Sequence, residues 1–147
     1  MATVTLSLIS HTNVGKTTLA RTLLRRDVGD VRDAAHVTDA ATGYTLIESP
    51  AGDILRLWDT PGFGDSARLL RRLRQSGNPV GWFLTQTWDR FADRPFFSSQ
   101  LAVRNVREES DLVLYLVNAG EDPAGAGYVD PEKQILGWVG KPVLVLL

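Results

Sequence analysis

An apolar run from Val4 to Ile9 passes directly into Ser10-His11-Thr12-Asn13-Val14-Gly15-Lys16-Thr17, which opens a helical stretch from Thr18 to Arg26. Few short patterns constrain a fold so tightly. A strand feeding a loop of this spacing, then a helix, is the arrangement that cradles phosphate. Backbone N–H groups of the loop and of the helix N-terminus converge on the anion. Lys16 adds a cation for the outer phosphates, and the Thr17 hydroxyl stands where it can ligate Mg²⁺. The pattern predicts a nucleoside triphosphate site built from Ser10, His11, Thr12, Asn13, Val14, Gly15, Lys16, Thr17 and Thr18. Ser10 occupies a place where glycine is usual. If the turn demands unfavourable φ there, a serine costs about 1 kcal/mol.

A second apolar run, Ile54 to Trp58, ends on Asp59-Thr60-Pro61-Gly62. A carboxylate at a strand end facing the loop can hold Mg²⁺ through water. Gly62 can present its N–H to the outermost phosphate because no Cβ blocks the approach. Alone, Pro-Gly is a turn signal. Behind the upstream loop it reads as a phosphate sensor.

On Asn13-Val14-Gly15-Lys16-Thr17 and Asp59-Thr60-Pro61-Gly62 the chain resembles the Era/TrmE-like P-loop GTPases of the translation-factor class. The run His11 to Thr17 is similar, more narrowly, to a bacterial branch in which the GTPase domain leads a longer protein. The resemblance implies GTP and GDP as ligands, Mg²⁺ as cofactor, and GTP hydrolysis by a nucleotide-dependent switch. It implies a switch I threonine that closes over the outermost phosphate and ligates Mg²⁺. Thr38 has the spacing for that place, with Thr42 as its rival. The implied metal ligands are therefore Thr17, Thr38 and Asp59, and the implied catalytic groups are Lys16, Asn13, Thr38 and Gly62. Phe63 stands where many such proteins carry a glutamine that orients the attacking water, and a phenyl ring cannot do that. The resemblance offers a substitute. In TrmE-like proteins the asparagine at the place of Asn13 helps to hold K⁺, so hydrolysis is expected to be slow and K⁺-stimulated. The competing reading has Asn13 bracing the loop through its own side-chain hydrogen bonds. Two further readings stay open: an ATPase on the same loop, and a nucleotide-dependent binding module with negligible turnover.

Composition bounds the rest. The chain has 147 residues, 44% hydrophobic and 22% charged, which suits one globular domain with a real core. A net charge of −1 gives no bulk attraction to RNA or to a membrane surface, so neither partner is supported by charge. With no cysteine and two histidines, thiolate and transition-metal sites lack support. Residues 1–6 lack a basic n-region, and no apolar run reaches the ~20 residues a membrane helix needs. A cytoplasmic protein, free or peripheral to the inner membrane, is the expectation.

Alternating periodicities predict an α/β fold with a mostly parallel central sheet covered on both faces, and the resemblance implies that this is a P-loop three-layer sandwich. Strands are expected at Thr3–Ile9, Gly43–Glu48, Asp53–Asp59, Asp111–Asn118 and Val143–Leu147. Ser49-Pro50-Ala51-Gly52 is a turn between two of them. Helices are expected at Thr17–Arg26, at Asp65–Gln75, and at Asp130–Val139 with Asp130 as N-cap and Pro131 first inside. Residues 27–42 lack periodicity and take the place of switch I. The stretch from about 65 to 109 is longer than the resemblance implies and reads as a helical insertion. It would hold helices over Gly81–Ala92 and Phe97–Glu109, separated by Arg94-Pro95. It carries Trp82, Phe83, Trp88, Phe91, Phe96 and Phe97, half of the chain's aromatic side chains. These either pack among themselves or form a surface for an unidentified protein partner that follows the switch. Arg68, Arg71, Arg72 and Arg74, like Arg21, Arg25 and Arg26, are either solvated helix faces or contacts for an acidic partner. The chain stops at Val143-Leu144-Val145-Leu146-Leu147, which reads as a buried central strand. The resemblance places a guanine-reading motif just beyond. The domain, residues 1–147, is therefore expected to be truncated at its C-terminal edge, with guanine choice resting on the resemblance.

Overall fold

The computed structural model describes residues 1–11, 14–25, 42–64, 66–74, 94–122 and 124–147. Their element order is β1 (Thr3–Ser10), α1 (Lys16–Leu24), β2 (Thr42–Glu48), β3 (Ile54–Asp59), α2 (Ser66–Arg74), α3 (Arg94–Glu109), β4 (Leu112–Leu116), α4 (Val129–Val139) and β5 (Val143–Leu146). The strands form one five-stranded sheet in the order β2-β3-β1-β4-β5. β1 is parallel to both β3 and β4, β4 is parallel to β5, and only β2 runs antiparallel. This is the expected three-layer α/β fold.

Side chains alternate across a strand, and the two helical layers follow from that alternation. Ile9, Val113, Tyr115 and Val117 face a core shared with Leu69 and Leu70 of α2, Ala102, Val103 and Val106 of α3, and Ile135, Leu136 and Val139 of α4. Leu8, Leu57, Leu114 and Leu116 face the opposite side, where Ala20, Leu19 and Leu24 of α1 cover them. Each fully buried aliphatic side chain contributes roughly 1.5–3 kcal/mol. β1 is buried on both faces, so its C-terminal end is a fixed platform for whatever follows it.

The β2–β3 hairpin closes as the sequence predicts. The Gly52 N–H donates to the Ser49 carbonyl at 2.9 Å, with Gly52 at φ +86°, a conformation that favours glycine. Two expectations are corrected. Arg94-Pro95 lies inside α3, which begins at Arg94 rather than Phe97, since proline's missing N–H is no loss in a first turn. Asp130 is not the N-cap of α4. The helix begins one residue earlier, after Tyr128, and Asp130 sits in its first turn, where the helix dipole still favours an acid. β5 is the outer strand of the sheet: it pairs only with β4 among the described residues, and Val143, Leu144 and Val145 are exposed. An apolar strand left open on its outer side agrees with the expected truncation at the C-terminal edge. The predicted helix over Gly81–Ala92, the switch I stretch and the aromatic side chains of residues 82–97 lie outside what the structure describes.

Leu57 is fully buried against α1. Leu57→Ala is therefore expected to lower unfolding stability by about 2–5 kcal/mol in urea titrations. A loss below about 1 kcal/mol would contradict the packing between β3 and α1.

Candidate functional site

The site lies where β1 and β3 end side by side. Their parallel register pairs Leu8 with Asp59, so the loop after β1 and the segment after β3 leave the sheet as neighbours. Two hydrogen bonds weld them: the Thr60 hydroxyl donates to the Leu8 carbonyl at 2.6 Å, and the Phe63 N–H donates to the Ser10 carbonyl at 2.8 Å. His11 and Phe63 continue the pairing as a parallel bridge.

Ser10 ends β1, is 1% exposed, and its hydroxyl donates to the His11 carbonyl at 2.8 Å. Its φ is not positive. Glycine's freedom is not needed there, and the strain a serine would otherwise carry does not arise. The conformational demand falls on Gly15 instead. It caps α1 at φ +96°, with no atom within 4 Å of where a Cβ would stand. The requirement at Gly15 is backbone conformation, not space.

Lys16 and Asp59, 8% and 5% exposed, form a buried ion pair through Nζ and Oδ1. The second carboxylate oxygen lies 3.5 Å from the Thr17 hydroxyl. One cation, one carboxylate and one hydroxyl thus meet at the N-terminus of α1, whose first turn carries no acidic residue. That end of the helix is electropositive and suited to phosphate. Thr17 and Asp59 together offer hard oxygen donors of the kind Mg²⁺ takes, so the residues fit an Mg²⁺–triphosphate ligand. Val14 packs on the α1 face of the core, and Thr18 is exposed, its carbonyl bonded by the Thr22 hydroxyl at 3.0 Å. Gly62 stands half-buried beside this cluster. Thr42 opens β2 in register with Asp59. Thr12, Asn13 and Thr38 lie outside the described residues. Phe63 is fully buried, its ring in the core with α2 and α3, so it presents no polar group to the site.

Sequence reading missed a second cluster. The Glu132 carboxylate, 0% exposed on the inner face of α4, lies 2.7 Å from His11 Nδ1 and accepts from the Tyr115 hydroxyl at 2.7 Å. The Ser66 hydroxyl at the start of α2 bonds to it too. The His11 ring stacks on Tyr128, centroids 4.0 Å apart, and the Tyr128 hydroxyl donates to Glu121 at 2.6 Å. Burial raises the Glu132 carboxyl above its ordinary range, and the His11 and Tyr115 hydrogen bonds oppose the rise. Burial first, and then the Glu132 charge, push the Tyr115 phenol well above the usual tyrosine range. The hydrogen bond to Glu121 pushes Tyr128 up to about 12. One signal was available: Glu132 interrupts the inward stripe Val129, Ile135, Leu136, Val139. A loop histidine was expected at His11; its fixed partner was not. Of the arginine clusters, Arg74 binds Gln134 of α4, and Arg71 is exposed.

The model of a family described as 50S ribosome-binding GTPases matches residues 5–147. No curated protein matches the chain. Among solved structures, Era of Aquifex aeolicus bound to GDP and AlF4⁻ is similar, with TM-score 0.67 and 19% identity over 99% of this chain and 40% of that one. Era in complex with MgGDPNP and a 16S ribosomal RNA segment gives the same figures, TM-score 0.67, 19%, 99% and 40%. The FeoB G-domain of Methanococcus jannaschii is similar with TM-score 0.54 and 16% identity over 99% of this chain and 67% of that one. The chain thus spans 40% of the length of the Era chains it matches.

A pH dependence follows from the buried carboxylate. With its folded pKa raised above the ordinary 4.5, Glu132 contributes most to stability below that value. The contribution is lost as pH rises through the folded pKa. Glu132→Gln carries no such proton. The stability of the parent relative to Glu132→Gln should fall as pH rises from about 4 towards neutrality, read as urea midpoints. A difference that stays flat would contradict a raised pKa.

Proposed function

The chain belongs to the 50S ribosome-binding GTPase family, and from that membership we propose that it is a GTP-dependent switch that hydrolyses GTP slowly with Mg²⁺ and K⁺. The observation that carries the reading is the convergence of Lys16, Asp59 and Thr17 at the joined ends of β1 and β3.

Lys16 serves as the cation for the outer phosphates, exchanging the Asp59 carboxylate for phosphate oxygen. Asp59, released from Lys16, and Thr17 hold Mg²⁺, with Thr38 as the third oxygen donor and Thr42 as the alternative. Mg²⁺ supplies neutralisation of charge on the outer phosphates. Gly15 and the first N–H groups of α1 hold the phosphate chain, together with the backbone of Thr12, Asn13 and Val14. Gly62 reports the outermost phosphate through its N–H. In the reaction, water attacks the terminal phosphorus and the bond to the bridging oxygen breaks, giving GDP and phosphate. Phe63, buried in the core, gives the attacking water no hydrogen bond. Turnover therefore depends on positioning and charge, and Asn13 would hold K⁺, which would supply the missing positive charge.

A second reading, a binding module with negligible turnover, is favoured by the same buried Phe63. Partners bind through switch I, the segment after Gly62 and residues 65–109. RNA, the partner in the second Era structure, is a candidate class, though the net charge of −1 gives it no bulk attraction. The working compartment is the cytoplasm, including the inner-membrane periphery.

Two measurements test this. Lys16→Ala should weaken binding of a fluorescent GTP analogue by about 100-fold, roughly 2.7 kcal/mol; unchanged affinity would remove Lys16 from the site. Single-turnover hydrolysis should run about tenfold faster in K⁺ than in Na⁺, as one added charge in the transition state would produce. Equal rates would end the K⁺ role of Asn13, and no turnover in either salt would select the binding module.

A further inference from the structure

Glu132 lies outside the phosphate loop yet bonds to it at His11 and to the start of α2 at Ser66. His11 is the second residue of the phosphate loop. Its backbone is fixed on one side by the bridge to Phe63 and by the Ser10 hydroxyl on its carbonyl. Its ring is fixed on the other by Glu132 Oε1 and by the stack on Tyr128. The same carboxylate receives Ser66, which begins the helix that follows Asp59-Thr60-Pro61-Gly62. Tyr115 of β4 occupies Oε2 and leaves the carboxylate no freedom to turn away.

We propose that Glu132 is a positioning residue for nucleotide binding: through His11 it sets the first turn of the phosphate loop, and through Ser66 it holds the start of α2 to the same point. The proposal rests on the reading of Ser10 to Thr18 as a nucleotide site. A leucine at this inward position would fill the space without the desolvation cost of a buried acid. The carboxylate does what a leucine cannot. It accepts from two separate segments at once, and both border the site. Placement in the first turn of α4, where the helix dipole favours an acid, offsets part of the cost. An ionised Glu132 requires the proton on His11 Nδ1, so the ring orientation is set as well as its distance. The chain therefore leaves β1 at His11 in one direction, and less ordering remains when phosphate binds.

The test uses Glu132→Gln, His11→Ala, the double variant, and Val139→Ala, which truncates a buried α4 side chain that has no polar group to bond the cluster. GDP affinity and unfolding stability are measured for each, together with the amide resonances of Gly15 and Phe63 in protein free of nucleotide. Glu132→Gln and His11→Ala should each weaken GDP binding about tenfold, and the double variant should be no weaker than His11→Ala. Val139→Ala should lose stability and keep its affinity within about twofold. Both cluster variants should shift the Gly15 and Phe63 amides, and Val139→Ala should not. Additive losses in the double variant, or affinity that follows stability across all four proteins, would overturn the proposal. Failure of the parent to bind any nucleotide would overturn the switch reading alone. The amide resonances would still decide whether Glu132 sets the loop, and unmoved amides would refute it.

Discussion

The parallel ladder between β1 and β3 is the constraint from which the rest of the molecule follows. Parallel pairing brings two C-terminal ends to one edge of the sheet, and the register sets Leu8 against Asp59. The loop leaves β1 at Ser10, Asp59 stands beside it, and the Thr60 hydroxyl closes the gap by bonding the Leu8 carbonyl. A slip of one residue would turn Leu57 and Asp59 to the other face and abolish both the core contact and the Lys16 pair. The fold and the site are thus specified by the same register.

The Lys16–Asp59 pair shows what that arrangement stores. A buried ion pair contributes little net stability, because desolvation consumes most of the attraction. Its value lies in exchange. A ligand carrying phosphates and Mg²⁺ offers each partner a new counter-charge: anionic oxygen for the lysine, a divalent cation for the aspartate. Neither group is left unpaired after the exchange. On the proposed function, such an exchange would act on Asp59-Thr60-Pro61-Gly62, which precedes α2 in the chain.

Much of this was legible in the sequence because it is local. Ser10 to Thr17 and Asp59 to Gly62 are contiguous motifs, and the apolar runs Val4 to Ile9, Ile54 to Trp58 and Leu112 to Val117 mark strands directly. Ser49 to Gly52 was legible for the same reason: turn chemistry is written in four neighbouring residues. What could not be read was non-local. His11 and Glu132 lie 121 residues apart, and only the folded sheet brings them together. Asp130 fits a cap rule well, yet α4 begins one residue earlier, after Tyr128, whose hydroxyl is engaged by Glu121. The arginine at the head of α3 similarly precedes a proline that starts a helix rather than breaking one.

The central claim is that this edge of the sheet holds guanine nucleotide with Mg²⁺. The most direct measurement is competition: a fluorescent GTP analogue bound in Mg²⁺, displaced in parallel by GTP, ATP and their Mg²⁺-free forms. The account predicts saturable binding, displacement by GTP at concentrations at least about 100-fold below those of ATP, and marked weakening without Mg²⁺. Equal displacement by ATP, or binding indifferent to Mg²⁺, would contradict it.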